Sequence, residues 1–200
     1  GAMVWEPNYG DINVHDFSYW DCEYGTCDTS KVTRVGDILN GSATDENINK
    51  LDQYLDLDNA LMMIAIEMAV GDWDGYCASH NYRVVYDPVT DRISLLLASM
   101  DLTLSGSSPS MTGCNSGQVY KFCMQNTGCT DRWKATLNKL ADGIDEMGLI
   151  DTLEDVRALI GDEYIHQTKR VVSSSQFDTE YDQVEAYWAA LPAYLRTQAK

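Results

Sequence analysis

The chain has 200 residues, 44% of them hydrophobic, which is enough for one globular domain with a buried core and excludes a disordered chain. Its 31 Asp and Glu residues outnumber 14 Lys and Arg residues, so the formal net charge is -17. This negative charge would repel a phosphate backbone, which argues against a nucleic-acid partner. No stretch approaches the ~20 apolar residues that span a bilayer, so no membrane span is predicted.

The N-terminal 44 residues lack a strong hydrophobic pattern. Residues 1-3, Gly-Ala-Met, are typical of what remains after an expression tag is cleaved. Residues 4-44 are polar, aromatic and rich in glycine, which predicts mostly loop with one short helix over Thr29–Leu39. The main domain is therefore predicted to cover residues 45-200.

Two consecutive helices are predicted from Asp45 onward. The stretch "DENINKLDQYL" spaces its apolar residues at helical intervals, and "DLDNALMMIAIEMAV" is apolar on almost every face. The second helix is therefore predicted to be buried. Asp56 and Asp58 can cap its first turn, and Gly71 is placed to end it.

A hairpin and a helical C-terminal half follow. In "YRVVYDPVTDRISLLLAS", two β-type runs flank a turn at residues 87–91. Residues 104–130 are rich in Ser and Gly and predict a long loop with a short helix at Val119–Met124. Beyond Asp131, helices are predicted over 131–147, 151–159, 161–171 and 178–198, the last bent at Pro192. The fold class is mostly α (α+β).

The six cysteines favour disulfides formed in an oxidising compartment, because their number is even and most lie in loop-like stretches. The favoured pairs are Cys22 with Cys27, and two among Cys114, Cys123 and Cys129. A cytosolic protein with free thiols is the alternative. Zinc has little support, because the sequence has no C-x2-C pair and Cys77-x2-His80 is half a site.

The stretch "GDWDGYCASHNYRVVY" at residues 71–86 holds the candidate site. Asp74 and Asn81 precede the first strand of the hairpin, and Asp101 follows the second. Because a hairpin returns its second strand beside its first, the three side chains should converge at one end. Carboxylate and amide oxygens suit Mg²⁺ or Mn²⁺, and protein kinases use the same order of buried helix, loop, hairpin and aspartate.

Local structural roles are the main alternative for these residues. Asp72, Asp74, Asn81 and Asp101 could each bond nearby backbone, as Asp and Asn do wherever helices and strands end. A calcium loop is excluded, because loops started at Asp72 or Asp56 break the EF-hand pattern.

Two further enzyme classes lack support. A nucleophilic Cys77 with His80 as its base has no third orienting group. A glycosidase that uses Asp72 and Asp74 fails on geometry if the loop is extended, because the two side chains would share one face only ~7 Å apart, and neither carboxyl is evidently buried enough to raise its pKa.

The central block, "LDLDNALMMIAIEMAVGDWDGYCASHNYRVVYDPVTDRISLLLASMDLTLS", resembles the CotH kinase family of atypical secreted or spore-coat protein kinases. The family pattern has a "g-n-W-D-g-y" loop, an "h-N-y-y-l-y" strand and an "i-p-W-D-l-D" segment. The C-terminal stretches "DRWKATLNKL" and "VEAYWAALPAYLRTQ" are similar to the paired helices of that family. The resemblance implies a protein-kinase-like C-terminal lobe.

The resemblance also implies roles for three residues. Asp74 would be the catalytic aspartate, Asn81 a metal-binding asparagine, and Asp101 the carboxylate that holds Mg²⁺ on the phosphates of ATP. The parent protein would be secreted or on the cell surface and would phosphorylate Ser or Thr of a protein.

Two departures from the family pattern favour a different class, a non-catalytic extracellular binding, adhesin or scaffold module. Residues 98–100, Ala-Ser-Met, replace the Trp-Asp that precedes the final aspartate in the family. No counterpart of the nucleotide-covering N-terminal lobe with its lysine is expected in residues 4-44. Such a module would bind an extracellular protein partner and retain the fold.

Overall fold

The computed structural model describes residues 1–13, 15–100, 103–104, 108–111, 113–168 and 172–200. Within them, four strands form one antiparallel sheet in the order β2-β1-β3-β4, accompanied by seven α-helices. The strands are β1 (Met3–Pro7), β2 (Trp20–Tyr24), β3 (Tyr82–Asp87) and β4 (Arg92–Leu97). The helices are α1 (Ser30–Leu39), α2 (Asp45–Tyr54), α3 (Leu57–Val70), α4 (Gln118–Cys123), α5 (Thr127–Met147), α6 (Leu149–His166) and α7 (Ser174–Gln198).

Strands β1 and β2 lie in the segment predicted to be mostly loop, which corrects that prediction. Strand β1 lies between β2 and β3, with Val4 opposite both Tyr24 and Val85. Its alternate residues are buried, and Trp5 is 1% exposed. The N-terminal segment is therefore part of the sheet and of the core. The helix predicted over Thr29–Leu39 is confirmed as α1.

Helix α3 is the buried helix that the sequence predicts. Leu57, Leu61 and Ile64 have no exposed surface, and the helix contacts both α5 and β4. The Asp56 carboxylate caps its start by accepting the Asn59 N–H at 3.2 Å. Gly71 ends it in the left-handed conformation at φ +69°, where a glycine has no steric penalty.

The hairpin is confirmed, with β3 and β4 paired from Tyr82 opposite Leu97 to Asp87 opposite Arg92. In its turn, the Asp87 carboxylate accepts the Val89 N–H at 2.8 Å. The pairing places the residue before β3 next to the residue after β4. The end of the hairpin away from the turn therefore brings residues 81 and 98 together.

The C-terminal helices differ from the prediction at their ends. Helix α5 begins at Thr127 because the Asn126 side chain caps it, accepting the Cys129 N–H at 2.9 Å. The break predicted near residue 160 is wrong, since α6 runs through Gly161; a single glycine costs a helix only ~1 kcal/mol. Residues 169–171 of the predicted helix 161–171 lie outside the described residues. Pro192 lies within α7.

Three disulfides join all six cysteines: Cys22–Cys27, Cys77–Cys114 and Cys123–Cys129. The first and third match the favoured pairs, whereas the second was not singled out. Because Cys77 is bonded to Cys114, it is neither a thiolate ligand for zinc nor a free nucleophile in this form. The disulfides are compatible with an extracellular or spore-coat protein. Across the described residues, no helix is long and apolar enough to span a membrane.

Candidate active site

The loop between α3 and β3 carries the residues predicted to react. Asp72 is buried, and its Oδ1 accepts the Asp74 N–H at 3.2 Å, which is the local backbone role that the sequence offers as an alternative for it. The neighbouring Trp73 is 62% exposed, whereas Asp74 is partly buried. The turn at Asp72 therefore fixes the backbone of Asp74 and leaves Asp74 partly exposed.

Asp74 and Asn81 are in direct contact, which confirms their predicted proximity. The Asn81 side-chain amide donates to the Asp74 backbone oxygen at 2.8 Å and to the Asp74 carboxylate Oδ2 at 3.0 Å. Asn81 has a φ of +44°, a conformation that asparagine tolerates better than most residues. Because the Asn81 amide nitrogen and the Asp74 Oδ2 make these bonds, neither Asn81 Oδ1 nor Asp74 Oδ1 is used in them, and among the described residues neither oxygen makes another hydrogen bond.

Asp101 lies outside the described residues, so its convergence with this pair stays a prediction. The described residues on each side of it are near the site. Leu97 pairs with Tyr82, the neighbour of Asn81. The Leu104 N–H donates to the backbone oxygen of Val70, at the end of α3, at 2.8 Å.

Glu67 in α3 is a functional candidate that the sequence reasoning missed. Its side chain is buried, and its two carboxylate oxygens accept the N–H groups of Tyr76 and Cys77 at 2.9 and 3.2 Å. Burial raises the pKa of Glu67 to about 7, assisted by the charge of Asp72 and opposed by the two N–H groups. A buried carboxylate thus holds the 3-10 turn, Tyr76–Ala78, that follows Asp74.

Gly75 is required where the loop passes these carboxylates. A Cβ at this position would lie 2.6 Å from Oε1 of Glu67 and 2.9 Å from Oδ2 of Asp72. Both distances are too short for a carbon atom, so a larger residue would displace the loop. The glycine lets the backbone approach Glu67 closely enough for the hydrogen bonds at residues 76 and 77.

The opposite side of the loop is attached to the start of α4. The buried Asp11 carboxylate accepts the N–H groups of Ile12 and Gln118, both at 2.6 Å, and the Tyr76 hydroxyl accepts the Val119 N–H at 3.1 Å. Burial raises the pKa of Asp11 to about 6, and the two N–H groups oppose this shift. The loop is therefore held from both sides.

His80 supports the loop rather than a zinc ion or a nucleophile. Its backbone N–H donates to the Gly75 oxygen at 3.1 Å, and its ring contacts Tyr9 edge to face at 5.3 Å between centroids. Tyr9 is 63% exposed. His80 thus packs beside the Asp74–Asn81 pair.

Residues 9–195 match the family model described as CotH kinase protein. The chain belongs to the CotH kinase family. The match begins well before Asp45, the predicted start of the main domain, so strand β2 and helix α1 fall within the CotH region. No curated protein matches the sequence.

The oxygen atoms of the CotH site suit a hard divalent cation rather than a soft one. Asp74 offers a carboxylate oxygen and Asn81 an amide oxygen, which are ligands that Mg²⁺ and Mn²⁺ accept. Among the described residues, no group of three or more His, Cys, Asp or Glu side chains is placed to hold a metal. Asn81 is not one of these four residue types, and the predicted ligand Asp101 lies outside the described residues, so neither could count toward such a group.

Proposed function

We propose that this CotH-family chain provides the catalytic lobe of a protein kinase that transfers the γ-phosphoryl group of ATP to Ser or Thr of a protein substrate. The observation that carries the proposal is the contact between Asp74 and Asn81 at the open end of the hairpin. Protein kinases place a catalytic aspartate and a metal-binding asparagine in one loop of this kind. The family match supports a kinase-like activity in general.

Each residue then has a distinct task. Asp74 accepts a hydrogen bond from the attacking hydroxyl, aligns it with the phosphorus and can take its proton. The Asn81 amide nitrogen holds the Asp74 carboxylate, while its oxygen, with the Asp101 carboxylate, would hold Mg²⁺ or Mn²⁺. The ion, when bound, neutralises charge on the phosphate oxygens.

The location and partners follow from the disulfides and the charge. The location that we propose is outside the cell or on its surface, and three disulfides, which persist in an oxidising environment, support it. The net charge of -17 disfavours nucleic acid as a partner, and the acceptor we propose is a protein.

A second candidate function is a non-catalytic extracellular binding or scaffold module. It is favoured by residues 98–100, Ala-Ser-Met, which supply no carboxylate where the family pattern has Trp-Asp. A site with one carboxylate fewer would bind a divalent cation more weakly. Such a protein would keep the fold but would not catalyse phosphoryl transfer.

Calorimetric titration with ATP separates the two functions. The kinase proposal predicts binding heat in the presence of Mg²⁺, little heat without it, and at least a tenfold weaker affinity in Asn81→Ala. Asn47→Ala is the matched control, because the Asn47 side-chain amide in α2 donates to the backbone oxygen of Ser42, away from the loop. The absence of Mg²⁺-dependent heat at millimolar ATP would reject the kinase and favour the binding module.

A further inference from the structure

We propose that Glu67 is a positioning residue for the catalytic loop: from inside α3 it holds the backbone of residues 76 and 77, which sets where Asp74 and Asn81 stand. Its importance for catalysis rests on the function proposed above. Its importance for loop geometry does not, because the contacts of Glu67 are independent of any reaction.

The burial of Glu67 is the first observation that supports this role. Helix α3 is packed against α5 and β4, and apart from Glu67 its buried residues are apolar. A carboxylate in such a position is costly unless hydrogen bonds compensate it. Glu67 is 1% exposed, and each of its oxygens accepts one backbone N–H. The compensation therefore comes from the loop itself.

The place where Glu67 acts is the second observation. Glu67 binds the backbone of Tyr76 and Cys77. Tyr76 comes two residues after Asp74, and Cys77 comes four residues before Asn81, so these bonds lie between the two site residues in the chain. The Gly75 backbone passes against the same carboxylate, leaving no room for a side chain. A shift of this turn would change the separation of Asp74 and Asn81.

The other attachments of the turn do not replace Glu67. The Tyr76 hydroxyl bonds to Val119, and Cys77 is joined to Cys114, so both attachments lead to the segment around α4. Only on the α3 side does a side chain take the N–H groups of the turn among the contacts described. Without Glu67, the turn would keep its bonds to the segment around α4 but lose its two side-chain hydrogen bonds to α3.

Hydrogen–deuterium exchange on the folded protein tests the role directly. In Glu67→Ala, amide exchange at residues 76 and 77 is expected to rise at least tenfold, with a smaller rise in Glu67→Gln, which keeps one acceptor oxygen. Leu137→Ala is the matched control, because it removes a buried side chain in α5 and lowers overall stability without touching the loop. If Glu67→Ala does not fold, Glu67→Gln carries the test.

A kinetic measurement on the same variants separates positioning from general stability. The kcat of phosphoryl transfer should fall at least tenfold in Glu67→Gln with a smaller change in the KM for ATP, whereas Leu137→Ala should retain both below its melting temperature. Faster loop exchange in a protein without kinase activity would support the positioning role and reject the proposed function. Exchange at residues 76 and 77 no faster than in Leu137→Ala would overturn the positioning role, whatever the enzyme does.

Discussion

Replacing Asp74 by asparagine is expected to lower the rate of phosphoryl transfer about 100-fold or more. Asparagine keeps an oxygen that can accept the hydrogen bond from the Asn81 side-chain amide, so the loop should retain its shape. It lacks the negative charge and the basicity that align and deprotonate the attacking hydroxyl. Initial rates with labelled ATP and an acceptor protein, combined with thermal unfolding, measure both properties.

The matched control for Asp74 is Asp87→Asn, at the opposite end of the hairpin. Asp87 is also a loop carboxylate, and it accepts the Val89 N–H and the Thr90 hydroxyl. This variant should keep the wild-type rate. A wild-type rate in Asp74→Asn would show that Asp74 has no catalytic role, and an equal loss in both variants would point to a general effect of removing charge.

Removing the Cys77–Cys114 disulfide is expected to have the largest effect on stability. The two cysteines are 37 residues apart, and closing a loop of this size restricts the unfolded chain by about 4 kcal/mol in the chain-entropy description. Alanine at both positions avoids leaving a buried polar atom, since both side chains are buried. Guanidinium unfolding, with the slope of the transition recorded for each variant, measures the loss.

The Cys123–Cys129 disulfide provides the comparison. Its cysteines are only six residues apart, so the same description gives about 2 kcal/mol for their replacement by alanine. The Cys77–Cys114 variant should also lose phosphoryl-transfer activity, because Cys77 follows Asp74 by three residues and the disulfide joins this turn to the segment before α4. Equal losses of stability in the two variants would contradict the argument from loop length.

Elements governed by local pattern could be predicted from the sequence. Helix α3 follows from its continuous apolar run, its Asp56 cap and its Gly71 terminus, all of which are visible within about 15 residues. The β3–β4 hairpin follows from two β-type runs around an Asp-Pro turn. These elements need no information from distant parts of the chain.

Strands β1 and β2 could not be predicted in this way. Each has five residues, too short a run for alternation to stand out, and β1 is held by pairing with β3, about 80 residues later. The sequence predicts two helices, 151–159 and 161–171, where the structure has the single helix α6, which continues through Ile160 and Gly161. Pairing between distant strands and tolerance of one glycine both depend on the tertiary structure.

The candidate site was partly visible in the sequence. Asp74 and Asn81 were identified because they flank predicted elements whose geometry brings them together. Glu67 carried a signal that could have been used: it is the single acidic residue in the interior of an otherwise apolar helical run. Asp11 carried no such signal, because its partner Gln118 is 107 residues away in sequence.

Folding of this chain is coupled to the uptake of protons by the buried carboxyl groups of Glu67 and Asp11. Their pKa values in the folded protein, about 7 and about 6, exceed the ordinary values of 4.5 and 3.8, so the folded chain takes up protons as it forms between about pH 4 and pH 7. Their stabilising contribution is complete below about pH 4 and is lost as the pH rises through 6 and 7, at about 3 kcal/mol per group. The heat of refolding near pH 6 should therefore depend on the ionisation enthalpy of the buffer that supplies these protons.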